Sequence, residues 1–181
     1  MTPLEFFSSY ITLSSEFYLI HSLFLFSLFK LNLYSSYLLF MFLLKILLNK
    51  FMKKLSLRYL PLHISSRPSD STVHNILDNN LSHSIELKGG FPSGHSMAIS
   101  AFTSLSFINA YHLNLLSFHN IFLYYSSLLL ILTCWSRYQK KAHTILQITV
   151  GLLLGLPYSY LIFIFQSYFD SSPFWFSLFT H

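Results

Sequence analysis

Apolar residues run along the chain in long blocks, with short basic or polar breaks between them. The first block spans about Ser15 to Phe29 and stops at Lys30. The second runs from Tyr34 to Asn49, the third from Pro92 to Tyr111, the fourth from Asn120 to Trp135 and the fifth from Ala142 to Gln166. Blocks of this kind predict helices that cross a bilayer, because lipid cannot satisfy exposed backbone groups. Several fall short of the ~20 residues a hydrocarbon core asks for, and flanking Lys, Tyr and Trp side chains can reach the interface to cover the difference. Ahead of them, Pro3–Leu13 is too polar and short to span. It reads as an interfacial helix with Phe6, Phe7 and Tyr10 in the headgroup layer, the alternative being one long tilted first helix. A polar stretch, Lys50–Gly90, separates the second and third blocks, and the tail after Tyr168 reads as an interfacial anchor. No internal repeat is evident. The expected fold is all-α: a single domain over residues 1–181, a polytopic membrane bundle of about five spans plus the short N-terminal helix. Five spans put the polar stretch and the Arg137–Lys141 turn on one membrane face.

Composition agrees with this class. The chain is 53% hydrophobic and only 9% charged, where a soluble domain carries about 25% charged residues. The formal net charge is +5, and the positive residues cluster in two regions, one over Lys50–Lys88 and one at Arg137–Lys141. Basic clusters beside apolar spans meet anionic headgroups, so the expected partner is a bilayer and not a nucleic acid, for which no soluble domain is available. The single Cys134 excludes an intramolecular disulfide. No removable signal peptide is expected, since the first apolar span would itself direct insertion.

Three features carry candidate chemistry. At Gly90-Phe91-Pro92-Ser93-Gly94-His95 the polar stretch enters the third span. A helix start with Ser93 and Gly94 offers backbone N–H groups to an anion, and His95 can donate a proton near neutrality. A plain helix cap is the competing reading. The second feature is Ser136-Arg137, five residues, His143, and then Gln147. His143 and Gln147 are four apart and share a helix face, and Arg137 has the planar fork that suits phosphate oxygens. An interfacial Arg-Lys-His anchor is the alternative. The third feature is Asn49, Lys53, Arg58 and Pro61 after the second span, alone an ordinary basic flank. His63, His74 and His83 are spaced too irregularly for a zinc set, so no metal is expected. Ser96, Ser100 and Ser104 form a small-residue stripe suited to helix packing.

Pro92-Ser93-Gly94-His95 followed by Ser136-Arg137-(five residues)-His143 resembles the second and third signatures of the type-2 phosphatidic acid phosphatase superfamily. The likeness extends from about Phe6 to Gly155. It implies a metal-free, cofactor-free phosphatase in which His143 attacks phosphorus, His95 protonates the leaving oxygen, and Lys53, Arg58, Ser93, Gly94 and Arg137 hold the phosphate oxygens. The family's first signature is a Lys, six residues and Arg-Pro; counting from Lys53 gives Leu60-Pro61. Arg58 is the expected substitute and Arg67 the alternative. Most members carry Asp where this chain has Gln147, whose carbonyl can still accept the imidazole N–H. The resemblance implies a lipid phosphate or isoprenoid diphosphate as substrate, with an inactive membrane scaffold that binds lipid phosphates as the rival.

Overall fold

The computed structural model describes residues 33–68, 89–112 and 116–171. The expected interfacial helix, the first span, residues 69–88 of the polar stretch and nearly all of the C-terminal anchor lie outside them. The described residues are helical: α1 (Leu33–Tyr59), a single turn α2 (Leu62–Ser65), α3 (Gly94–His112), α4 (Leu116–Gln139) and α5 (Ile145–Ser171). Among them there is no strand, only an isolated antiparallel bridge between Ser66 and Gly89. The all-α expectation therefore holds.

Element boundaries depart from the apolar blocks in an informative way. The second block ends at Asn49, but α1 continues for ten residues to Tyr59. Residues 50–59 contain no Gly or Pro, and Lys, Leu, Met and Arg are good helix formers whether or not they are apolar. The helix stops ahead of Pro61, which cannot continue it. Lys45, Lys53 and Ser56 therefore occupy one buried face of a continuous helix. In the same way α4 overruns its block to Gln139, because Ser136, Arg137 and Tyr138 are polar but helix-compatible.

The α4–α5 turn is built from two end motifs. The Lys141 N–H donates to Tyr138 O at 2.8 Å and the Ala142 N–H to Arg137 O at 3.1 Å. With Lys141 at φ 49°, this is a Schellman termination carrying lysine at the left-handed position where glycine is usual. Next, the Gln147 N–H donates to Thr144 Oγ1 at 3.3 Å and the Thr144 N–H to Gln147 Oε1 at 3.2 Å. Thr144-Ile145-Leu146-Gln147 is thus a reciprocal capping box, which starts α5 at Ile145. His143 consequently precedes the helix rather than sharing its face, as the i, i+4 spacing had suggested.

Helix α3 packs chiefly on α5 and next on α4. Gly151 and Gly155 let α5 approach closely: a Cβ on Gly151 would stand 2.5 Å from Ser93 O, and one on Gly155 2.6 Å from Met97 O. Ser96 and Ser100 of the small-residue stripe are buried in this contact, and Ser100 Oγ donates to Leu152 O at 2.8 Å; Ser104 is only half-buried. Small residues facing small residues is how helices associate where no hydrophobic force separates them from lipid. A modest apolar core of Met41, Met97, Ala101, Leu105, Tyr158 and Ile162 joins α1, α3 and α5. Outward-facing side chains are largely apolar, among them Leu47, Phe51, Ile131, Leu153 and Ile164, while Lys53, Arg137, His143 and Gln147 are buried. One described helix, Ile145–Ser167 within α5, is long and apolar enough by itself to cross a membrane, with a mean hydropathy of 2.0.

Relieving the left-handed lysine gives a direct check on the turn. Lys141→Gly should stabilise the protein by about 1 kcal/mol, the cost of a side chain in that conformation. Reversible unfolding in mixed micelles would read this as a higher midpoint.

Candidate active site

The polar residues converge where the start of α3, the end of α4 and the start of α5 meet the inner face of α1. The segment 62–67, called here the strap, closes this group. The Gly90 N–H donates to Ser65 O at 2.8 Å and the Phe91 N–H to the same oxygen at 3.2 Å, so the strap is paired to the residues leading into α3. From the other side, Ser56 Oγ of α1 donates to Phe91 O at 2.8 Å. Gly90 and Gly94 are thereby held against neighbouring groups; a Cβ on Gly94 would stand 2.3 Å from Asn49 Nδ2.

His143 lies in the turn ahead of α5, outside the spanning helices, and is 2% exposed. Its Nδ1 is 2.8 Å from Gly90 O and 3.2 Å from Gln147 Oε1. Both neighbours are acceptors, so Nδ1 carries the proton and Nε2 keeps its lone pair. The orientation of the Gln147 amide is fixed independently, because Nε2 of Gln147 donates to Ile64 O at 2.8 Å and to Ser66 O at 2.7 Å. The reversed amide would set its oxygen against two carbonyls.

Burial, followed by the positive charges of Arg137, Arg67 and Lys53 and by His95, holds the His143 imidazole well below its ordinary pKa. The ring is therefore neutral at pH 7. His95, half-buried at the start of α3, lies in the field of Arg137, Lys45, Lys53 and Arg67. The two imidazoles are near enough to sense each other's charge.

The structure brings together most of the residues that the sequence singles out. His143, His95, Gln147, Lys53 and Arg137 share one electrostatic neighbourhood. Ser93 and Gly94 also border it, but the Ser93 N–H donates to Gln147 O at 3.1 Å, and its hydroxyl accepts from Ser96 Oγ at 2.9 Å. The close α3–α5 approach at Gly151 uses up the Ser93 groups, so Gly94 is left to head the helix. Arg58 is not brought in. It is exposed at the end of α1, with its guanidinium 5.5 Å from the Tyr59 ring centroid. Arg67 is brought in instead: its Nη1 donates to Ala142 O at 3.2 Å, next to His143.

Two further participants escaped the sequence reading. Gly90 was read only as part of the approach to α3, yet its carbonyl is the nearest partner of His143. Thr144 was not singled out at all, although the spacing Thr-x-x-Gln is a recognisable capping signature. The strap carbonyls of Ile64 and Ser66 have no sequence signal, since any residue supplies a backbone oxygen.

The helical arrangement has a counterpart among solved structures. No curated protein sequence matches the chain. A solved structure does: a transmembrane PAP2-type phosphatidylglycerolphosphate phosphatase from Bacillus subtilis superimposes with a TM-score of 0.68 at 20% identity, covering 96% of this chain and 81% of that one. At that identity the likeness establishes the fold. The sequence profile of the PAP2 superfamily matches residues 34–171, which takes in every helix of the cluster and both histidines, and on that match the chain belongs to the PAP2 superfamily.

Proposed function

We propose that this protein is a multi-pass membrane phosphatase that hydrolyses a lipid phosphate or isoprenoid diphosphate through a phosphohistidine on His143, without a metal. The observation that carries this reading is the locked His143 ring. Its Nδ1–H is committed to the Gly90 and Gln147 oxygens, so Nε2 keeps its lone pair, in the field of Arg137, Arg67 and Lys53. In the first step Nε2 attacks phosphorus and forms a P–N bond while the P–O bond to the leaving group breaks. His95, which the bound phosphate's negative charge allows to be protonated, delivers its proton to that oxygen. Charge on the three equatorial oxygens is met by Lys53, Arg137, Arg67 and the Gly94 N–H, all fixed before the reaction. In the second step His95, now neutral, takes a proton from water, whose oxygen attacks phosphorus and breaks the P–N bond. His143 returns to its neutral state and inorganic phosphate leaves.

The position of Arg67 supports giving it the first-signature role in place of Arg58. The apolar outer faces of the helices and the membership of the family support the membrane location. Gln147 suits an isoprenoid diphosphate, and the Bacillus subtilis neighbour adds the phosphomonoester of a glycerolipid as the second substrate class to assay.

The reading makes firm kinetic predictions for purified protein with chelator present. His143→Ala should abolish phosphate release from both lipid classes. Arg67→Ala should reduce kcat/KM by about 10- to 100-fold, as expected for one lost charge-assisted contact, whereas Arg58→Ala should stay within about twofold of wild type. No phosphate release from the wild-type protein, and so none lost in His143→Ala, would favour the inactive scaffold.

A pH prediction follows from the lowered pKa of His143. Its protonation, followed by NMR of labelled histidine, should occur below the ordinary imidazole range. Because Arg137 is the largest charge acting on it, Arg137→Gln should move that protonation to higher pH. A shift to lower pH would contradict the electrostatic account.

A further inference from the structure

The oxygen of the Gln147 amide serves His143, but its nitrogen serves a different element. Nε2 donates to Ile64 O at 2.8 Å and Ser66 O at 2.7 Å, so both of its hydrogens are spent on the strap. The residue after Ser66 is Arg67, whose Nη1 reaches Ala142 O at 3.2 Å. We propose that Gln147 is a two-sided positioning residue: Oε1 sets the His143 tautomer, while Nε2 latches the strap so that Arg67 is delivered to the phosphate site. The oxygen side rests on the reading of His143 given above; the nitrogen side stands on the strap bonds themselves.

Among side chains, only a carboxamide presents an acceptor and two donors on adjacent atoms. An ionised carboxylate at this position could accept from His143 and Thr144, but it would meet the Ile64 and Ser66 carbonyls with lone pairs. A protonated acid would offer one hydrogen to two acceptors. Water cannot stand in, because Gly90 packs against the amide: a Cβ there would be 2.7 Å from both Gln147 terminal atoms and 2.8 Å from Ser66 O. Gln147 is fully buried, and an unmet carbonyl at such a site is costly. The strap is also held by local bonds, by Ser65 O, which accepts from Gly90 and Phe91, by the bridge between Ser66 and Gly89 and by Arg67 itself, whose Nη1 donates to Ala142 O. The amide thus links the main chain just ahead of Arg67 directly to the helix that starts beside His143.

A double-mutant cycle on the full-length protein tests this, with inorganic phosphate as competitive inhibitor and a soluble isoprenoid diphosphate as substrate. Gln147→Glu keeps the acceptor and loses the donors. It should raise the phosphate inhibition constant and KM by about 10-fold or more, with a smaller fall in kcat. Arg67→Ala should have a similar effect alone, yet add less than about threefold in the Gln147→Glu background. Backbone amides of residues 62–67 should exchange faster in Gln147→Glu. Gln147→Met, uncharged and of similar length, repeats the cycle if the charged variant does not fold. Fully multiplicative effects, or an unchanged inhibition constant in Gln147→Glu, overturn the proposal. Failure of both variants to fold also overturns it, since the amide would then be a folding element. Exchange of the strap amides is read without turnover, so this outcome stays distinct from the fate of His143→Ala.

Discussion

A polar group buried among apolar helices must find its partners inside the protein, and the fold of this chain depends on how Gln147 does so. Its main-chain N–H and side-chain oxygen complete the capping box with Thr144. Its main-chain oxygen accepts from Ser93 at the start of α3. The same side-chain oxygen faces His143, and the nitrogen holds the strap. One fully buried residue therefore joins the starts of two helices, the strap and His143. Leaving any of these groups unmet in a low-dielectric interior costs more than a surface bond would contribute, and this is why the arrangement is specific rather than merely compatible with the chain.

The surrounding scaffold serves this junction. Gly151 and Gly155 bring α5 against α3 until main-chain atoms nearly touch, which sets His95 and His143 at adjacent helix starts. The overrun of α1 past Asn49 carries Lys53 to the same depth, where it is 7% exposed. The Schellman turn reverses the chain within a few residues, so that Arg137, at the last turn of α4, stands beside His143. Cations gathered in this way would repel one another in an empty site, and an anionic phosphoryl group is the natural counter-charge.

The helical architecture was legible because blocks of apolar residues admit little else in lipid. The two histidine signatures were legible too, since Ser-Arg-(five residues)-His and Pro-Ser-Gly-His are short and local. The limits of the helices were not: hydropathy stops at Asn49, while helix propensity continues to Tyr59, and only the second governs the backbone. Asn49 and the second span set a register that favours Lys53 with Arg58, but the end of α1 exposes Arg58 and the strap returns Arg67 from the far side of Pro61. That return is made through carbonyls of Ile64, Ser65 and Ser66, which no side-chain pattern announces. Gln147 looked like a weakened Asp. Its two strap bonds give it a role that Asp could not fill.

The account rests on Nδ1 of His143 being held by two oxygens while Nε2 is left to react. Acid-labile phosphoryl-enzyme, trapped during turnover of an isoprenoid diphosphate and resolved by phosphorus–nitrogen NMR with labelled histidine, tests this most directly. The account predicts phosphorus bonded to Nε2 of His143. Phosphorus on Nδ1, or on another residue, would contradict it.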